Sequence, residues 1–346
     1  MCRLSWWTWR LNILMSDFKI NSIATKQGQH GPVIAGVSTI NSTGCMKIPS
    51  GPTENRGGRG RGVIGSGQNI PSGVINTMNL ITIATAGNAI DFGDLSYGQA
   101  YRGGLASSTR GIFVNGQSDA TFDFVTISSQ GGANDFGEAL SNHMGGATFN
   151  SSTRGFRAGG ADPSHTSNIM GMVIASTGSF YDAGDLTKVG TYQNGASSPT
   201  RGIIFGGTTP SASYNNIDVF TMASGGNATK FGELSAAKKY VDTSGNTIRG
   251  LSAGGSPSNN VIEFVTIATE GNAQDFGDLH SATNTGKNGS VSSATRGIFS
   301  GFYPAQTARM DFVTIMSAGN AQDFGDMTAT WYYMGGCSDS NGGIDL

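Results

Sequence analysis

Four histidines (His30, His143, His165, His280) and three cysteines (Cys2, Cys45, Cys337) are the side chains of this chain best suited to hold a metal or attack a carbonyl. First-row metals need N, S and O ligands that converge on one point, and the histidines form no HxH or HxxxH pair. The cysteines are odd in number and far apart, which fits neither a zinc knuckle nor a disulfide framework. A Cys45–Cys337 bridge is left as a minor alternative. Serine pairs at 107–108, 151–152, 197–198 and 292–293 recur once per repeat, so they belong to repeated structure and not to a Ser-His-Asp site. The acids Asp94, Glu138, Asp185, Glu233, Asp278 and Asp326 also recur once per repeat. Calcium takes six to eight oxygens at one centre, and acids on separate strands are too dispersed for that. They are expected instead to pair with Arg110, Arg154, Arg201, Arg249 and Arg296, or to cap turns, at ~0–1 kcal/mol each. No catalytic residue, metal or cofactor is expected.

Those acids close a nine-residue phrase. GNAQDFGDL (271–279) returns as GNAQDFGDM (319–327), with weaker copies at 87–95, 132–140, 178–186 and 226–234. Its phenylalanine falls at 92, 136, 231, 276 and 324, with Ala183 standing in once, at spacings of 44, 47, 48, 45 and 48. An Arg-Gly pair keeps the same period, with Arg61-Gly62 as an earlier copy. A period of ~45–50 residues is that of a propeller blade. Within 195–234, GASS suits a crowded inner strand, RGIIFGG a second, NIDVFTMA an alternating third and ATKFGEL the outer one, with SGGN as a turn. Four antiparallel strands per unit make one blade. The fold expected is all-β: a six-bladed propeller over 57–346, its phenylalanines packed between blades, the following glycine admitting a close backbone. Both ENRGGRGRGVIGSG (54–67) and the terminal GGCSDSNGGIDL compete to fasten the ring.

A Gly-Gly after the second strand, an alternating third and an aromatic before the last resemble the kelch repeat, with Phe where kelch units carry Trp. The phrasing TRGIFxGG…DFVTIATxGNAxDFGDL resembles propeller-like repeats in virion and tail-fibre proteins of tailed phages, marine ones in particular. That resemblance covers about 290 residues. It implies a non-enzymatic virion structural protein, a tail-fibre or receptor-binding component, found in the phage particle and assembled in the host cytoplasm. A capsid decoration protein and a polysaccharide-degrading propeller enzyme are the alternatives; the latter would need paired acids near the axis.

Residues 1–16 read as an upstream extension or frayed arm, with Met15-Ser16-Asp17 a more natural start. Residues 17–56 form short strands broken by Gly, Pro and Asn, too thin to bury a core, and are expected to attach to other virion proteins. The net charge of −2 argues against nucleic acid, and RGGRGRG is a single short instance. No apolar run approaches the ~20 residues that span a bilayer. A homo-oligomer is allowed, although no heptads support it.

In a meander blade the two short turns lie on one face of the disc and the two longer connections on the other. Here the longer ones differ from blade to blade and are rich in Ser, Thr, Asn, Gly and Tyr. Variation in an otherwise uniform repeat marks a recognition surface. Tyr97, Tyr101, Tyr214, Tyr240, Phe302 and Tyr303 are its candidate contacts, for a host-surface glycan or a protein receptor.

Overall fold

The computed structural model describes residues 60–69, 73–114, 116, 120–139, 144–161, 163–283, 289–303 and 307–340. The chain divides into two units at Glu54–Asn55, and every described residue lies in the second. The expected arm (1–16) and attachment segment (17–56) therefore fall outside the described residues, as do Cys2, His30, Cys45 and His143.

Six four-stranded antiparallel sheets form the blades of an all-β propeller. Their strands are named a to d, from the axis outward. Blade 2 is typical: a is Gly103–Ala106, b Arg110–Val114, c Thr121–Thr126 and d Asn134–Glu138. Blades 3, 4, 5 and 6 occupy 147–190, 194–233, 242–283 and 291–326. Blade 1 takes strand a from the far end of the chain, Gly335–Ser338, and strands b to d from Arg61–Asn69, Gly73–Thr82 and Ile90–Asp94. Thus the two rival closing segments are both used, as adjacent strands paired Val63↔Cys337. Even the missing a–b turn is rebuilt without a covalent link. In blades 2 to 6 a Ser or Asn oxygen accepts the backbone N–H of the following arginine, as Ser107 does from Arg110 at 3.1 Å. Across the chain ends, Asp339 accepts from Arg61 in the same way at 2.9 Å. Strands b and c of blade 1 run on past a bulge at Gly65/Gly67, b to Asn69 and c from Gly73.

The structure explains the nine-residue phrase. Its two halves serve different blades. The Gly N–H of each c–d turn donates to the carbonyl of the residue before the FG(D/E) glycine in the preceding blade: Gly131 to Phe92, Gly271 to Phe231, Gly319 to Phe276, and Gly87 back to Phe324. The Asn side chain of GNA accepts the N–H of the acid, as Asn320 does from Asp278 at 3.0 Å. That approach is close enough that a β-carbon on Gly93, Gly232 or Gly277 would overlap the backbone of the next blade's turn, which bears out the expected role of glycine. In every blade the c–d register slips at this point. The bulge makes Phe the extra residue and turns it inward. Phe92, Phe136, Phe231, Phe276 and Phe324 are each 2–4 % exposed and pack against the c strand and c–d turn of the next blade, as Phe92 does on Val125 and Ile127. Where Ala183 replaces Phe, the inner strands compensate, with Phe149 and Phe156 stacked at 5.5 Å beside Phe220.

The arginines do not pair with the FG(D/E) acids, which corrects the sequence expectation. Each reaches forward to backbone carbonyls of the next blade: Arg110 to Ile174 and Ala175 (both 3.0 Å), and Arg296 to Ile83 and Ala84. Arg61, Arg154, Arg201 and Arg249 do the same. The reason is topological. Strand b starts at the a–b turn, whereas strand d ends at the opposite face, so the arginine and the acid of one blade point to different sides of the disc.

Candidate functional site

On the face of the b–c and d–a connections, four tyrosines close over the axis. Tyr333, Tyr101, Tyr192 and Tyr240 stand two residues before the inner strands of blades 1, 2, 4 and 5. All four have a left-handed backbone, with φ of 58°, 62°, 58° and 58°. Gly145, φ 77°, holds the same place in blade 3. Backbone bonds tie these positions around the axis: Tyr101 N–H to Tyr333 O (2.9 Å), Tyr192 N–H to Gly145 O (2.7 Å) and Tyr240 N–H to Tyr192 O (3.0 Å). L-residues reach this region at a cost of ~1–2 kcal/mol each. Three bulky residues adopting it where a fourth blade uses glycine would already be notable; here it is four.

The rings form two close pairs, Tyr101–Tyr333 at 4.1 Å and Tyr192–Tyr240 at 4.2 Å. The pairs meet at Tyr101–Tyr192, 5.6 Å, across the gap that Gly145 leaves, and at Tyr240–Tyr333, 6.0 Å. Tyr332, 4.9 Å from Tyr333, and Tyr303, 5.1 Å from Tyr332, extend the cluster outward. Burial, followed by the neighbouring phenols, pushes the hydroxyls of Tyr101 and Tyr240 far up. Burial raises Tyr333 too. The cluster offers phenolic hydroxyls and ring surface, all four tyrosines being half-buried.

Buried acids position the loops that carry these rings. At one register of strand c, Asn79, Asp123, Asp218, Glu263 and Asp311 accept from the late part of the preceding blade's strand d or the start of its d–a loop. Asp123 also binds Arg102, next to Tyr101, at 3.0 Å with both side chains 0 % exposed. Glu263 binds Lys238, two residues before Tyr240, at 2.5 Å with 2–3 % exposed. Burial drives the Glu263 carboxyl up, but Lys238 and Ser235 outweigh it and hold it below the ordinary range. A buried pair of this kind adds little net stability, yet losing one partner is costly. It fixes the loop in place.

Below the tyrosines the inner strands nearly close the axis. A β-carbon on Gly104 would collide with the Gly336 carbonyl, and one on Gly195 would come 2.7 Å from Thr148 O. On this rung Thr243 donates to Gly195 O at 2.7 Å and Ser290 to Thr243 O, each in the neighbouring blade. The remaining cavity, ≈ 70 Å³, has room for a few waters. Cys337 lies buried between blades 1 and 2. Among the described residues no group of three His, Cys, Asp or Glu is placed to hold a metal ion.

Of the six aromatics singled out from the sequence, the structure brings Tyr101, Tyr240 and Tyr303 into this cluster. Tyr97 is 58 % exposed on the blade 1–2 connection. Tyr214 stands on the blade 4 b–c loop, its hydroxyl accepting from Gln193, the neighbour of Tyr192, at 2.9 Å. Phe302 is not on the surface: the chain after Gly301 folds it into the core between blades 5 and 6, 3 % exposed beside Phe276 and Phe299. Tyr192, Tyr332 and Tyr333 were missed. The signal for Tyr192 and Tyr333 was a tyrosine two residues before the inner strand, shared with Tyr101 and Tyr240, as in Tyr192-Gln-Asn-Gly and Tyr333-Met-Gly-Gly; Tyr332 had none.

The fold and this face together define a β-propeller with an aromatic-capped axis. No protein-family model matches the chain, and no curated protein matches it.

Proposed function

We propose that this chain is a non-enzymatic recognition protein of a tailed-phage particle, a tail-fibre or receptor-binding component, whose tyrosine face meets the host surface. The observation that carries the recognition reading is the tyrosine ring itself. Four side chains are held in a backbone conformation suited to glycine, on the face whose loops differ from blade to blade. Such strain persists where a side chain is needed for more than the fold, and tyrosine supplies rigid contact area with a polar tip. The narrow axis supports a surface ligand over a substrate held between the inner strands. The phage setting is supported by the repeat phrasing, and with it come virion location, assembly in the host cytoplasm, and attachment to other virion proteins through residues 17–56.

The test is binding of the full-length chain to intact candidate host cells, with Tyr192→Gly/Tyr240→Gly as the control. Saturable binding lost in that variant, and antibody labelling at tail tips, are expected. Labelling over the heads with no cell binding would replace this reading with capsid decoration.

A further inference from the structure

We infer that the ligand of the tyrosine face is an acidic saccharide, its carboxylate or phosphate meeting Lys239 and its sugar ring lying against the Tyr192–Tyr240 pair. This rests on the recognition reading above and adds the chemical class of the ligand.

Three cations stand in the loops carrying the axial rings. Arg102 and Lys238 are each neutralised by a buried carboxylate, Asp123 and Glu263. Lys239 has no carboxylate within 4.0 Å among the described residues. It is partly exposed, and its ammonium lies 5.4 Å from the centre of the Tyr240 ring. Its backbone is fixed by paired bonds with Ser256, so the side chain starts from an ordered position beside the ring. The acid nearest in sequence, Asp242, is 3 % exposed and its carboxyl accepts from the backbone N–H of Thr243, so it faces inward and not toward Lys239 on the surface; burial pushes its carboxyl well above the ordinary range. Asp94, Asp185 and Asp326 are exposed but sit on outer strands, at the rim. Lys188 lies over Tyr214 at 5.2 Å, but Asp218 and Glu233 share its field. The centre of this face is thus a cation with no carboxylate partner beside four tyrosine hydroxyls, inside an acidic rim. Every one of those groups favours an acceptor-rich anionic ligand, and the stacked rings suit a pyranose face. The rim repels an anion that approaches anywhere else.

The experiment presents uronate-, sialate- and phosphate-bearing saccharides to the full-length chain, each beside its carboxyl-reduced or dephosphorylated parent. At least one acidic member should be retained. Its neutral parent, and Lys239→Gln with the acidic member, should each bind about tenfold more weakly, the scale of one charge-assisted hydrogen bond. Salt should weaken binding, Lys188→Gln should change it little, and an unchanged unfolding midpoint shows that Lys239→Gln still folds. Equal binding of acidic and neutral members, or an unaffected Lys239→Gln, overturns the acidic ligand while leaving recognition intact. Tyrosine-dependent binding to cells with no saccharide retained overturns it in favour of a protein receptor. No binding to any cell removes the recognition reading and this inference together.

Discussion

Replacing each axial tyrosine by glycine and, separately, by alanine measures how much backbone strain the ring carries. Both substitutions remove the same aromatic contacts, so their difference isolates the backbone. At φ near 60° alanine still bears the ~1–2 kcal/mol left-handed cost, whereas glycine does not. Glycine in turn loses ~0.4–1 kcal/mol to the greater freedom of its unfolded chain. The net expectation is that glycine exceeds alanine by ~0.5–1 kcal/mol at each site, the reverse of the usual order in regular structure. The backbone term is local, so across all four sites it should add to ~2–4 kcal/mol even though the stacked rings are coupled. Urea unfolding with matched m-values is the assay. The converse substitution, Gly145→Ala, should destabilise, both for its φ and because a β-carbon there lies 2.9 Å from the Tyr192 ring. If alanine equals or exceeds glycine at all four positions, the tyrosines are unstrained, and the argument that they serve more than the fold collapses.

Four other outcomes follow from the same contacts. Asp242→Asn should raise stability at neutral pH. A carboxyl with a raised folded pKa stabilises below its unfolded value and loses that contribution as pH rises through the folded one, so the gain should vanish in acid; Asn194 already fills the equivalent place, accepting from Gly195 at 3.0 Å as Asp242 does from Thr243 at 2.9 Å. Lys238→Met should cost ~3–5 kcal/mol by stranding Glu263, and Lys238→Met/Glu263→Leu should recover most of it, read by the same unfolding curves. Arg110→Gln should cost ~1.5–3 kcal/mol. It should exceed Arg154→Gln by ~0.5–1 kcal/mol, because Arg110 also lies 4.5 Å over Phe124 and Arg154 has longer bonds of 3.2 Å. Gly232→Ala, at an ordinary φ, should destabilise by ~1–3 kcal/mol through overpacking against Gly271 alone.

The blade count, the inward phenylalanines and the need for glycine after them were legible because each is written into side-chain identity at a fixed period. The arginine partners were not. A guanidinium that bonds to backbone carbonyls leaves no complementary residue in the sequence, so the nearest repeated acids looked like its mates. Ring closure stayed ambiguous for a related reason: both candidate segments are correct, and neither alone shows that they pair with each other. The tyrosine ring was half legible. Tyr101 and Tyr240 stood out as loop aromatics, but Tyr192 and Tyr333 sit in connections of different length and wording. What unites the four is a φ value and a distance to the axis. Phe302 erred the other way, since a loop-like GFY context hid a residue that turns back into the core.

The difference between the two faces has a mechanical origin. On the side of the a–b and c–d turns, each blade's donors and acceptors are consumed by its neighbour, arginine to carbonyl and GNA to FG(D/E), around the whole ring. A change in one turn there breaks a bond belonging to two blades, so the six copies are held alike. On the opposite side a connection is secured near its start by one strand-c acid or amide, as Ser235 is by Glu263 and Thr328 by Asn79, and its later contacts with neighbours are backbone bonds and ring contacts at the axial position, which leave the rest of its sequence free to differ. The same disc thus enforces uniformity where blades interlock and permits divergence where they do not. The strained tyrosines lie on the permissive side, where the repeat itself does not require them.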